Sequence, residues 1–253
     1  MELELWQFAV LFAAAFFGGF IDSIAGGGGL ISLPALLAVG VPPHVAIATN
    51  RFQGSFGSFT AALNFIRKGY VDAAEILRGV IFTFVGGLVG AYVLLLIDAK
   101  FLNYLIPILL LALLLYMIFS PNLGEAPARP KMSKKSFYAI FGLVLGFYDG
   151  FFGPGTGSFW TFALVGILGL YMKKAVAHTK VLNFTSNIVS LGVFIIGGQI
   201  LWLVGAVMAV GQIAGSFVGS SLVMRCDVKF VRKMLLLVVA ATILKLLYGL
   251  IAS

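Results

Sequence analysis

Apolar residues run along this chain in blocks, and polar residues are gathered into short breaks between them. A helix crossing about 30 Å of hydrocarbon needs roughly 20 apolar residues. Blocks of that length predict membrane spans over 45–66, 77–97, 101–119, 176–197, 200–223 and 230–251. Two further apolar regions are interrupted. Residues 5–41 break at Asp22 and at Gly26-Gly27-Gly28-Gly29. Residues 137–172 break at Asp149-Gly150 and at Gly153-Pro154-Gly155-Thr156-Gly157. Each region reads either as one kinked span or as two helices meeting at a Gly-rich tip. The one sizeable hydrophilic stretch, 120–136, holds Pro121, Pro127, Pro130 and four basic residues. It predicts a linker between a first membrane repeat, 1–119, and a second, 137–253.

The two halves match each other in order. Asp98-Ala99-Lys100-Phe101 corresponds to Asp227-Val228-Lys229-Phe230 at an offset of 129. The same offset carries Arg51 onto Lys180, Gly69 onto Gly198, Gly86 onto Gly215 and Gly90 onto Gly219. Upstream, at an offset of 127, Gly19-Phe20-Ile21-Asp22 meets Gly146-Phe147-Tyr148-Asp149, and Gly26 and Gly28 meet Gly153 and Gly155. A two-residue loop difference accounts for the change.

Composition makes lipid the solvent. Of 253 residues 61% are hydrophobic and 10% charged, and the mean hydropathy is +1.08. Soluble domains carry about 25% charged residues. The net charge of +8 fits cytoplasmic loops rich in Lys and Arg, so no nucleic-acid partner is expected. Cys226 is a lone cysteine, which excludes an internal disulfide. The first apolar run lacks the basic start of a cleavable signal and is expected to remain.

Basic residues also fix the topology, because short cytoplasmic loops hold the excess of Lys and Arg. If each broken region crosses once, the best orientation leaves seven loop cations inside and seven outside. If each goes in and returns, thirteen lie inside and only Lys100 outside, with both termini extracytoplasmic. Each half then makes an odd number of passes, so the halves are inverted. The expected fold is an all-α polytopic inner-membrane protein. It has two inverted repeats, each a broken-helix hairpin plus three transmembrane helices, an architecture common among secondary transporters.

Charges at membrane depth mark the candidate chemistry. Each costs about 2.5–3.5 kcal/mol on insertion scales, yet Arg51 recurs as Lys180 and Asp22 as Asp149. Arg51, Ser55 and Ser58 share one helix face, as do Lys180, Asn183 and Asn187. Two readings stay open. The cations and carboxylates form structural ion pairs, or one cation from each half holds an anion while Asp22 and Asp149 pair with them or carry coupling protons. In the second reading Thr49, Asn50, Thr179 and Asn183 add neutral donors. The breaks at Gly27, Gly28, Gly155 and Thr156 then add backbone N–H groups, as helix N-termini do for anions. His178, beside Thr179-Lys180, joins as a substrate ligand or serves as a structural histidine. His44 reads as a turn or helix-start residue and Lys245 as a snorkelling one. Two histidines and one cysteine do not make a metal cluster, so neither a metal nor a cofactor is expected. Gly86-x-x-x-Gly90 and Gly211-x-x-x-Gly215-x-x-x-Gly219 read as helix-packing faces.

These motifs resemble the sulfite exporter TauE/SafE family of membrane transport proteins. The resemblance rests on Gly18 to Gly29 and on Ala48-Thr49-Asn50-Arg51-Phe52-Gln53-Gly54 in the first half. In the second it rests on Asp149 to Gly157 and on His178-Thr179-Lys180-Val181-Leu182-Asn183-Phe184. It implies export of a sulfur-containing anion such as sulfite, sulfoacetate or thiosulfate, with no enzymatic step. The family often has Lys where this chain has Arg51. A passive anion channel is the alternative; an intramembrane protease using Ser158 and His178 lacks any supporting signature. The expected partners are a small anionic solute and the lipid bilayer, and a homo-oligomer stays open.

Overall fold

A computed structural model of the chain describes residues 3–111, apart from 99, 103, 107 and 110, and residues 129–223. Most of the expected span over 101–119, and all of that over 230–251 with Cys226 and Lys245, lie outside the described residues. The described regular structure is helical throughout. Its helices are α1 (Leu5–Ala25), α2 (Gly29–Ala38), α3 (Pro43–Arg67), α4 (Ala73–Leu96), α5 (Lys134–Phe151), α6 (Thr156–Gly166), α7 (Met172–Ile196) and α8 (Trp202–Val223). Of these, α1, α4, α7 and α8 are long and apolar enough to cross a membrane. α3 has 25 residues but carries the polar stripe.

Capping residues set the helix starts. Pro43 opens α3 at a first-turn position that has no use for an N–H. The Asp72 side chain accepts from Ala74 N, so α4 begins before the apolar run expected at 77. Ser133 accepts from Ser136 N and starts α5 at Lys134 rather than at 137. A hydrophobicity pattern cannot register these polar first turns.

Each broken region forms two helices. Gly26 and Gly27 turn the chain between α1 and α2 with φ of 74° and 125°, and Gly153 and Gly155 turn it between α5 and α6 with φ of 93° and 82°. Such backbone favours glycine. The first turn brings Gly28 back against Gly18, whose carbonyl leaves no room for a Cβ at Gly28. The returning helices are short, 10 and 11 residues. At 1.5 Å per residue they reach about half the hydrocarbon thickness.

The main helix pairs map onto one another when each helix of the first half is exchanged with its counterpart in the second. α1 lies along α8 as α5 lies along α4; α3 packs on α8 as α7 packs on α4; α3 and α7 face each other. The correspondence reaches single atoms. A Cβ at Gly215 would collide with the Phe16 carbonyl, and one at Gly86 with that of Leu143; Gly219 and Gly90 stand likewise against Phe20 and Phe147. Polarity is reversed relative to a soluble protein. Val85, Leu88 and Tyr92 of α4 and Val210 and Phe217 of α8 face outward, while Gln53, Ser58, Asn183 and Gln212 are buried. At one end Glu75 accepts from Lys134 at 2.7 Å and from Lys174 at 2.6 Å, which ties the first turns of α4, α5 and α7 together.

Candidate functional site

α3 and α7 run side by side through the centre, and each sends its cation across to the other half. Arg51 Nη1 donates to Asp149 Oδ1 at 2.8 Å. Lys180 Nζ donates to Asp22 Oδ2 at 2.9 Å and to the Asp22 backbone carbonyl. The four charges cancel in crosswise pairs, as buried charges must to be tolerable. Further bonds hold them. Arg51 Nη1 also donates to Asn187 Oδ1 at 2.8 Å, and Ser186 Oγ donates to Asp149 Oδ2. Gly27 N and Gly28 N donate to Asp22 Oδ1 at 3.1 and 3.2 Å. The N–H groups at the first break therefore meet the protein's own carboxylate.

The two breaks touch at the centre. A Cβ on Gly157 would stand 2.7 Å from Gly26 Cα, and Ser158 Oγ donates to the Gly26 carbonyl at 2.8 Å. Gly153 lies flat against the Arg51 guanidinium, where any Cβ would overlap it. Between these parts is a cavity of about 40 Å³, room for a few water molecules or a compact oxyanion.

Seven of the expected residues line this cavity. Asp22, Gly27, Asn50 and Arg51 come from the first half, and Asp149, Gly155 and Asn183 from the second. The others are engaged elsewhere. Lys180 is wholly buried behind the wall, on Asp22. The Thr49 hydroxyl accepts from Leu201 N at 3.1 Å, and Thr179 meets Thr161 at 3.2 Å. His178 Nδ1 pairs with the Tyr138 hydroxyl at 2.8 Å. Thr156 Oγ1 donates to the Gly153 carbonyl at 2.6 Å, and Gly28 stands beside the cavity against Gly18. Two lining residues, Gln53 and Gln212, escaped the sequence reading. Gln53 lay within the family motif without a role. Gln212 gave a signal, a carboxamide among the small and apolar residues of an otherwise apolar span.

The site's capacity lies in polar atoms left over. Arg51 is 3% exposed, yet Nε and Nη2 have no partner. Gln53 Oε1, Asn183 Oδ1 and Gln212 Oε1 are also buried without partners. Buried polar groups are normally satisfied, so such a cluster needs an explanation.

The family model described as Sulfite exporter TauE/SafE matches residues 11–246. A probable membrane transporter protein of Haemophilus influenzae is 42% identical over 98% of this chain and 97% of its own length. The probable membrane transporter protein YfcA of Escherichia coli K12 is 45% identical over 94% of this chain and 89% of its own. At greater distance, the probable membrane transporter protein YunE of Bacillus subtilis is 26% identical over 85% of this chain and 88% of its own. No solved structure matches.

Proposed function

We propose that this chain, which belongs to the sulfite exporter TauE/SafE family, is a secondary transporter that carries a compact sulfur oxyanion through its central cavity. The observation that carries this reading is the free edge of Arg51. Nη1 alone makes both guanidinium bonds, to Asp149 and Asn187. Nε and Nη2, the parallel pair that matches two oxygens of an oxyanion, are buried and unpaired, on a residue that lines the cavity. Asp149 fixes the ring of donors in place and Lys180 neutralises Asp22. The cavity's size favours sulfite or thiosulfate over the longer sulfoacetate.

The inverted arrangement of the halves is part of the proposal. The two-fold pattern of helix packing supports it. So does the cluster on Glu75, which gathers Lys134 and Lys174 at one end. The two-pass reading of the broken regions requires those segments on one side, and the single-pass reading separates them. Positive charge makes that end cytoplasmic, with the protein in the inner membrane; export is the direction the family's description implies.

Flux into proteoliposomes of the purified protein, against sulfite, thiosulfate, sulfoacetate and a carboxylate, tests the reading. Saturable flux of a sulfur oxyanion is expected. Arg51→Gln should weaken its affinity by roughly ten- to a hundredfold, the worth of a charge-assisted bond of about 1.5–3 kcal/mol. Arg51→Lys should fall between the two because the fork is lost. Absence of flux for every sulfur anion, or unchanged affinity in a folded Arg51→Gln, refutes it; flux without saturation indicates a channel.

A further inference from the structure

The unpaired atoms around the cavity are of two kinds, and Arg51 accounts for only one. Its Nε and Nη2 are donors. Gln53 Oε1, Gln212 Oε1 and Asn183 Oδ1 are acceptors, which an unprotonated oxyanion does not satisfy. We infer that the cavity also binds a monovalent cation of the sodium class, on the carboxamide oxygens of Gln53, Gln212 and Asn183.

The orientation of Gln53 is set by its neighbours. Its Nε2 donates to Asn50 Oδ1 at 2.8 Å and to Ser32 Oγ at 3.2 Å, which leaves the oxygen as the free end. Gln212 arrives from α8 through a gap cut for it. A Cβ on Gly57 would collide with the Gln212 side chain, and one on Gly19 would press on its backbone at 2.5 Å from the carbonyl oxygen. Gln53 and Gly57 are one turn apart on the same face of α3. Arg51 lies roughly 200° round the helix from Gln53. The side chains of Gln53 and Gln212 thus lie on a different side of α3 from the guanidinium, with Gln212 Oε1 turned toward Gly18 of α1. Gln53, Gln212 and Asn183 are 1%, 4% and 6% exposed, so bulk water does not satisfy them.

The chemistry of the ligands selects the ion. Carboxamide oxygens are neutral, hard and not protonated at physiological pH, and such oxygens suit hard cations. Charge points the same way. The cavity wall carries the carboxylates of Asp22 and Asp149 against one guanidinium, because Lys180 lies behind it. With Lys180 included the cluster is neutral, so an oxyanion entering alone would bring one or two uncompensated negative charges to membrane depth, which is costly. A sodium ion bound beside it offsets one unit of that charge. This electrical argument rests on the anion-transport reading; the ligand argument does not.

The test is binding of radioactive sodium ion to the purified full-length protein in detergent, with no transported anion present. Saturable binding is expected, displaced by unlabelled sodium chloride and not by choline chloride. Gln212→Leu and Gln53→Leu should each weaken it at least about tenfold. Gln212→Glu, which keeps the oxygen, should retain it and guards against a variant that fails to fold. Absence of saturable binding in the wild type, the outcome if water alone fills the cavity, overturns the inference. So does undiminished binding in both folded Leu variants. Sodium binding without sulfur-anion flux would sink the transport reading and leave the cation site standing. Flux without sodium binding would do the reverse.

Discussion

Arg51 and Lys180 are two cations buried at the centre of the molecule. Their place at membrane depth, and that of Asp22 and Asp149, is legible because charge there is costly and recurs in both halves. Their partners are not, because each bond crosses between halves, Arg51 to Asp149 and Lys180 to Asp22. Thr49, His178 and Thr179 were candidates as sequence neighbours of the cations. A helix turns about 100° per residue, and that rotation sends them to Leu201, Tyr138 and Thr161 instead. Gln53 and Gln212 stayed hidden because they carry no charge and the repeat pairs them with Leu182 and Thr83. Two outcomes follow at this scale. Lys180→Met should destabilise the protein by about 3–5 kcal/mol, and adding Asp22→Asn should recover a large part of it, since an unpaired buried charge is the greater burden. Thermal unfolding in detergent measures both. Gly153→Ala should displace the guanidinium its missing Cβ now accommodates, and lower oxyanion affinity in the flux assay without removing a single polar group.

Glycine decides the helix crossings. The spacing of Gly86 and Gly90, and of Gly211, Gly215 and Gly219, marks them as packing positions on sequence alone. Which backbone they meet follows only from the docking of α4 on α5 and of α8 on α1. The short lengths of α2 and α6 were equally out of reach, since an apolar run continues past the point where each stops. Gly215→Leu forces a side chain into the Phe16 carbonyl and should cost at least about 1–3 kcal/mol, the usual range for overpacking. Gly192 has nothing within 4 Å of an added Cβ. Gly192→Ala should therefore be neutral or stabilising by up to about 1 kcal/mol, the difference in helix propensity. Melting temperatures of the two variants, measured together, separate a packing glycine from an incidental one.

At the scale of the whole molecule, composition makes lipid the solvent, and the distribution of loop cations favours two passes for each broken region. Cysteine accessibility checks the orientation. In a Cys226→Ser background, Lys135→Cys should react with a membrane-impermeant reagent only after the cytoplasmic face is opened; labelling of intact cells would reverse the topology. The crosswise ion pairs have a further consequence, which concerns the order in which the ribosome delivers the chain. The first half leaves the translocon carrying Arg51 and Asp22, and the partners of both are still unsynthesised. Until Asp149 and Lys180 arrive, the nascent protein holds two unmatched charges in the bilayer and is open to quality-control proteolysis. Residues 1–119 expressed alone should accordingly be degraded rapidly. Co-expression with 129–253 as a separate chain should rescue both pieces, and pulse-chase half-lives of each fragment, alone and together, will show whether the two halves protect one another.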